Sequence, residues 1–222
     1  MSNRGVLFII SGASATGKDT IVSEILKNYS DRAVLSVSMT TRQPRGNERN
    51  GVDYFFVSAD EFENNIKNDR MLEYAKYGSN YYGTPLEPVE KWLDEGKIVF
   101  LVIEVQGASI VRSKFPDARS VFVLPPSMTV LEKRLRGRGT EDEDTIYQRL
   151  EIAKSEILRA EEYDYIVVND VLDDAVNDIV AVCKYEKCLT NKTDINSSFV
   201  SRATQLKKDN MINTVREVMR NA

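Results

Sequence analysis

The 222-residue chain has no histidine, two cysteines, six prolines and one tryptophan. Without histidine there is no imidazole to bind zinc or to serve as the base of a nucleophilic triad. Cys183 and Cys188, in the stretch CKYEKC, have neither zinc-ribbon nor redox-motif spacing, and so few thiols fit a reducing cytoplasm. The apolar run VLFII at residues 6–10 is too short for a signal-peptide core or a membrane span, so no membrane association is expected. A net charge of −4 gives no reason to expect nucleic-acid binding; any anion must be recognised by local cations.

What is present is an alternation. Short apolar runs at residues 6–11, 98–104, 120–124 and 165–168 read as buried strands. Between them, helical periodicity covers 19–28, 86–94, 108–114, 128–136, 143–162 and 172–188. That pattern predicts an α/β fold, a parallel sheet with helices on both faces. Ser58, followed three residues later by Glu61, predicts a capped helix through Asp69. Residues 36–84, rich in tyrosine, arginine and glycine, read as an inserted lobe, and the charged stretch 137–150 as a lid. A polar linker after Thr190 leads to a tail, 189–222 in all, in which Leu206, Met211, Ile212, Val215 and Met219 form an apolar stripe on a helix.

The stretch SGASATGKDT carries the first chemical signal. Gly12, Gly17 and Lys18 satisfy G-x-x-x-x-G-K, after a buried strand and before an amphipathic helix. A helix N-terminus is already electropositive, so Lys18 there calls for an anion. The loop Gly12, Ala13, Ser14, Ala15, Thr16, Gly17 can turn its N–H groups around phosphates while Lys18 reaches the β/γ oxygens. The next position, usually Ser or Thr, is Asp19, and two readings stand. Either Asp19 approaches Mg²⁺, or it points outward with the helix dipole while Thr20 makes the polar contact to the metal; the second is preferred, because a carboxylate facing triphosphate is repelled.

The inserted lobe offers a nucleotide acceptor site. Arg42, Arg45, Tyr54 and Tyr82 are suited to phosphate oxygens. Glu73 can accept from the N–H edge of guanine, with Ser38 or Thr84 donating to O6, an arrangement that rejects adenine. Arg134 and Arg138, four apart, share a helix face, and Arg149 follows across the acidic turn.

Taken together, SGASATGKDT, SVSMTTRQPRGNERNGVDYFF, EYAKYGSNYYGTP, VIEVQGA, RLRGRGTEDEDTIYQRL and YIVVND resemble the guanylate kinase family over residues 5–188. The resemblance implies a P-loop NTPase fold, a three-layer parallel sheet with core 5–35 and 85–188, a GMP-binding lobe at 36–84 and a lid at 137–150. It implies the reaction ATP + GMP = ADP + GDP with Mg²⁺, with dGMP also used, by a cytoplasmic monomer or homodimer. In its terms Ser38, Glu73, Thr84 and Glu104 contact guanine, and Arg42, Arg45, Tyr54 and Tyr82 hold its phosphate. Lys18, Arg134, Arg138 and Arg149 surround the transferred group, and Asn169 lies by the adenine. Asp19, and Val102 where family members often carry an acid, depart from the pattern on the metal side. Two rival readings are a non-catalytic interaction module, against which the intact loop argues, and a kinase for another nucleotide or sugar phosphate.

Overall fold

The computed structural model describes residues 4–137, 139, 142–191 and 194–220, apart from the Tyr77 side chain. Strands β1 (Val6–Ser11), β2 (Ala33–Leu35), β7 (Ile98–Val102), β8 (Arg119–Leu124) and β9 (Tyr165–Val168) form a five-stranded parallel sheet in the order β2-β7-β1-β8-β9. Residues along a strand alternate between faces, and β1 shows the consequence. Leu7 and Ile9 join a core cluster with Val105, Leu131 and Ile157, whereas Phe8 and Ile10 pack with Ile21, Ile25 and Ile179 on the other face. The first cluster lies under α3 (Leu86–Asp94), α4 (Val105–Lys114), α5 (Met128–Arg136) and α6 (Glu143–Ile157); the second lies under α1 (Lys18–Tyr29) and α7 (Leu172–Asn191). Burial on both faces is why these strands read as unbroken apolar runs.

A second sheet, in the order β4-β3-β6-β5, comes from the stretch between β2 and α3. Its strands are β3 (Met39–Thr40), β4 (Phe55–Phe56), β5 (Met71–Tyr77) and β6 (Asn80–Pro85). β5 and β6 are an antiparallel hairpin whose turn uses Gly78 at φ 60°, a left-handed conformation that favours glycine. Helix α2 (Ala59–Lys67) closes one side, capped by Ser58, whose hydroxyl accepts the Glu61 N–H at 3.1 Å. The core beneath it is small: Met39, Phe62 and Met71 are its buried members.

Three features differ from the sequence reading, and a fourth, the start of α6 at Glu143, agrees with it. β7 stops at Val102, and α4 starts at Val105 with Glu104 at its N-cap, so Glu104 is a helix-start residue and not a strand end. The helix read over 143–162 is α6 followed by a 3₁₀ turn, Leu158–Glu162. Within 137–150, residues 143–150 are the first turns of α6, capped by Asp142 accepting from Thr145 N–H. The tail is two helices, α8 (Ser197–Gln205) and α9 (Lys208–Arg220), and it covers the sheet's outer edge. Ile166 N–H donates to Leu206 O at 2.9 Å and Lys208 N–H to Asp164 O at 3.1 Å, while Val215 and Val218 enter the main core. Among the described residues no helix is long and apolar enough to cross a membrane.

Candidate active site

The loop between β1 and α1 reverses direction in a small space. Gly12, Ala15 and Gly17 all have positive φ, at 148°, 64° and 88°. A side chain at Gly12 would place its Cβ 2.4 Å from Val123 O, and one at Gly17 would lie 2.4 Å from the Asn169 amide nitrogen. Asn169 braces the loop: its Nδ2 donates to Thr16 O at 2.8 Å, and the Thr16 hydroxyl donates to Ala13 O at 2.9 Å. No side chain caps α1, so its first N–H groups face the loop without an intrahelical partner. Lys18, buried at 6% exposure, turns back into this loop. Its Nζ donates to Gly12 O at 3.1 Å and lies 3.7 Å from Glu104 Oε1. The ammonium thus sits against carbonyls and a carboxylate.

Two of the three arginines assigned to the transferred group close around the loop. Arg149 Nη1 donates to Ser14 Oγ at 3.2 Å, reaching across from α6. Arg134 Nη2 donates to Asn169 O at 2.9 Å, and its buried Nη1 has no hydrogen-bond partner among the described residues. Arg138 lies outside the described residues. Asp19, itself exposed, lines the crevice beside Lys18, and Thr20 is not among the lining residues. At 3.6 residues per turn, Thr20 is rotated about 200° from Lys18, onto the exposed side of α1.

Across a crevice of about 740 Å³ stand the lobe residues. Ser38, Arg45, Tyr54, Glu73 and Tyr82 line it together with Lys18 and Arg149. Glu73 is 5% exposed, and burial pushes its carboxyl up from the ordinary range, opposed by the hydrogen bond from Thr84. Thr84 is not among the residues lining the crevice. It is fully buried behind Glu73 and its hydroxyl donates to Glu73 Oε1 at 2.8 Å, so it orients the carboxylate and Ser38 is the hydroxyl left facing the crevice. Glu104 also lines the crevice, half exposed, opposite Lys18.

Arg42 is not among the residues lining the crevice, and its fork is occupied by Glu48, which the sequence reading missed. Nη1 and Nη2 donate to the two Glu48 oxygens at 2.9 and 3.0 Å, with the guanidinium over the Tyr54 and Phe56 rings. The bond to Glu48 pushes the Arg42 pKa up, and Arg42, with the Arg45 N–H, holds the Glu48 carboxyl below the ordinary range. Arg42 therefore shapes the rim that presents Arg45, Tyr54 and Tyr82. Glu156 on α6 was also missed: burial and the nearby Glu104 push its carboxyl up to about 7, and nothing in its local sequence marks it.

The family model for guanylate kinase matches residues 4–186. A guanylate kinase of Bacillus anthracis is 48% identical over 187 residues, covering 84% of this chain and 91% of its own. One from Streptococcus pyogenes serotype M3 is 54% identical over 170 residues, 77% of this chain and 81% of its own. The solved guanylate kinase from Anaplasma phagocytophilum matches with a TM-score of 0.66 at 32% identity, over 83% of this chain and 87% of that one. A phosphate loop facing a buried carboxylate across one crevice, in a chain matched over this extent, has one reading: the chain belongs to the guanylate kinase family.

Proposed function

We propose that the crevice transfers the γ-phosphoryl group of ATP to the phosphate of GMP, giving ADP and GDP, with dGMP as a further acceptor. The observation that carries this reading is Glu73, a buried carboxylate fixed by Thr84 and directed into the same crevice as Lys18. Guanine presents two adjacent N–H donors to such a group; adenine presents an acceptor there, and its lone pair would face the carboxylate oxygens. Ser38 donates to O6, Glu104 adds a second acceptor for the base, and Arg45, Tyr54 and Tyr82 hold the GMP phosphate. On the other side the loop 12–17 and the N-terminus of α1 hold the ATP phosphates, with Asn169 at the adenine end.

Transfer needs little from the protein beyond position and charge. The γ-phosphoryl group spreads negative charge over its equatorial oxygens, and Lys18, Arg134, Arg138 and Arg149 stabilise that charge. The attacking oxygen belongs to a phosphate monoester, whose second pKa near ~6 leaves it ionised at neutral pH, so no histidine base is required. Closing the lobe and the arginine-bearing lid over the substrates keeps water, the competing nucleophile, away.

Among the described residues no cluster of three His, Cys, Asp or Glu side chains is placed to hold a metal ion. Mg²⁺ arriving on ATP would take one or two carboxylates and otherwise phosphate and water. Asp19, which lines the crevice beside Lys18, would hold it, and the ion would supply neutralisation of the β- and γ-phosphates. We assign 5–35 and 85–188 to the core, 36–84 to the GMP lobe, 137–150 to the lid and 189–222 to linker and tail. We place the reaction in the cytoplasm, where unpaired Cys183 and Cys188 persist, and the protein as a monomer or homodimer. An acceptor panel tests the reading: with ATP and Mg²⁺, GMP should turn over with dGMP second and AMP or UMP negligible. A preference for AMP would overturn it.

A further inference from the structure

Gly107 occupies a position that its own helix does not explain. It is the third residue of α4, buried, with a backbone conformation open to any residue. Glycine inside a helix is less favourable than alanine, because it has more freedom to lose. A glycine kept at such a position points to whatever a side chain would strike. Here a Cβ would meet the Glu73 carboxylate first: Oε2 at 3.1 Å and Cδ at 3.6 Å, with Ile103 Cδ1 at 3.5 Å.

The other carboxylate oxygen is already fixed. Thr84 Oγ1 donates to Oε1 at 2.8 Å, and the two residues face each other across the β5–β6 hairpin. The carboxylate is thus set between a hydroxyl on one side and the bare Cα of Gly107 on the other, and Glu73 and Gly107 both line the crevice. An added methyl would push Oε2 aside by a few tenths of an ångström. With Oε1 tethered, that displacement twists the carboxylate plane. Two parallel hydrogen bonds need the carboxylate coplanar with the base, and one bond does not.

We propose that Gly107 is a specificity-determining position that acts through Glu73: its missing side chain lets the carboxylate lie flat against both guanine donors. This rests on the assignment of Glu73 to the base. The position sacrifices helix stability for recognition, so repairing the helix should damage the recognition.

Four proteins test it: wild type, Gly107→Ala, Glu73→Ala and the double variant. The readouts are KM for GMP and for inosine monophosphate, which lacks the 2-amino donor, together with kcat and Tm. Gly107→Ala should raise the GMP KM roughly tenfold, as a small misplacement in a positioned site does. It should narrow the preference for GMP over inosine monophosphate by a similar factor, with kcat within about twofold. Its Tm should hold or rise, by up to roughly 2–4 °C. In the Glu73→Ala background the same change should leave the GMP KM where the single variant set it. If Glu73→Ala raises the GMP KM and Gly107→Ala does not, this inference fails while the base assignment stands. Equal losses for both acceptors with a lowered Tm would make Gly107 merely structural. An unchanged GMP KM in Glu73→Ala would bring down both.

Discussion

The two ends of the crevice are built from different materials. At the Lys18 end, proposed above to hold the ATP phosphates, the backbone dominates: positive-φ turns at Gly12, Ala15 and Gly17, helix N–H groups, and a loop seated on a sheet whose core residues are almost wholly shielded. At the lobe end, proposed above to hold GMP, side chains dominate, through Thr84 on Glu73 and Glu48 on Arg42, over a core with three buried apolar members. Backbone recognition suits a ligand group that is the same in every nucleotide, and it tolerates Ala13, Ser14 and Ala15 as loop residues. Side-chain recognition suits the part that must be told from its analogues, and there each polar pair is exposed to loss by one substitution.

The largest effect should come from Lys18, the ammonium turned into the loop. Lys18→Ala removes the ammonium from a loop that the backbone otherwise shapes. The expected loss in kcat is about 10²–10³-fold, the usual consequence of deleting one positioned charge donor. GMP affinity, set at the other end, should change little. Turnover measured as ADP release and GMP binding by calorimetry separate the two. Turnover close to wild type would show that the backbone suffices and that the ammonium is dispensable.

Next in size is the clasp at the base end. Glu48→Gln leaves the buried Arg42 guanidinium opposite a neutral amide, and the rim carrying Arg45 and Tyr54 loses its brace. The GMP KM should rise roughly tenfold, since bonds to charged groups are the stronger kind, while the ATP KM holds. The pH dependence follows from the sign of the shift. The Glu48 carboxyl titrates lower in the folded protein than in the unfolded chain, so its stabilisation is complete above the ordinary carboxylate range. It is lost as pH falls through the depressed folded value. Urea midpoints of wild type and Glu48→Gln should therefore differ at pH 7 and converge in strong acid; a gap that persists there would mean that Glu48 acts through something other than its charge.

Legibility in the sequence follows the same division. The loop, its flanking strand and helix, and the other long buried strands were readable because their signals are local: spacing, periodicity, a glycine at a turn. Side-chain partnerships were not, because a partner is chosen by orientation over distance. Glu104 was read as a strand end, since VQG after it carries no helix-start signal, yet it sits at the N-cap of α4. A general argument about charge points Asp19 outward; it is exposed, yet the phase of α1 also sets it at the crevice beside Lys18, which no local signal gives. The Thr84–Glu73 bond was within reach: a hairpin turning at Gly78 and Ser79 pairs 77 with 80, and so 73 with 84. The Arg42–Glu48 clasp gave no such signal, being closed by an irregular turn through Pro44 and Gly46.

The smallest effect tests whether the phosphate end is as independent of side chains as the comparison holds. Asn169 is the one long-range side-chain bond to the loop's backbone among the described residues, from the end of β9 to Thr16 O, and its amide fills the space a Gly17 side chain would need. Asn169→Ala would leave Thr16 O in a buried setting without its donor, a loss of about 1–3 kcal/mol in stability. The positive-φ turns and the bond from Thr16 Oγ1 to Ala13 O remain, so the loop should keep its path. The expected result is a roughly threefold to tenfold rise in the ATP KM, a lowered Tm, and an unchanged GMP KM. A loss as large as that of Lys18→Ala would mean that the loop is shaped from outside, and the contrast between a backbone-built end and a side-chain-built end would collapse.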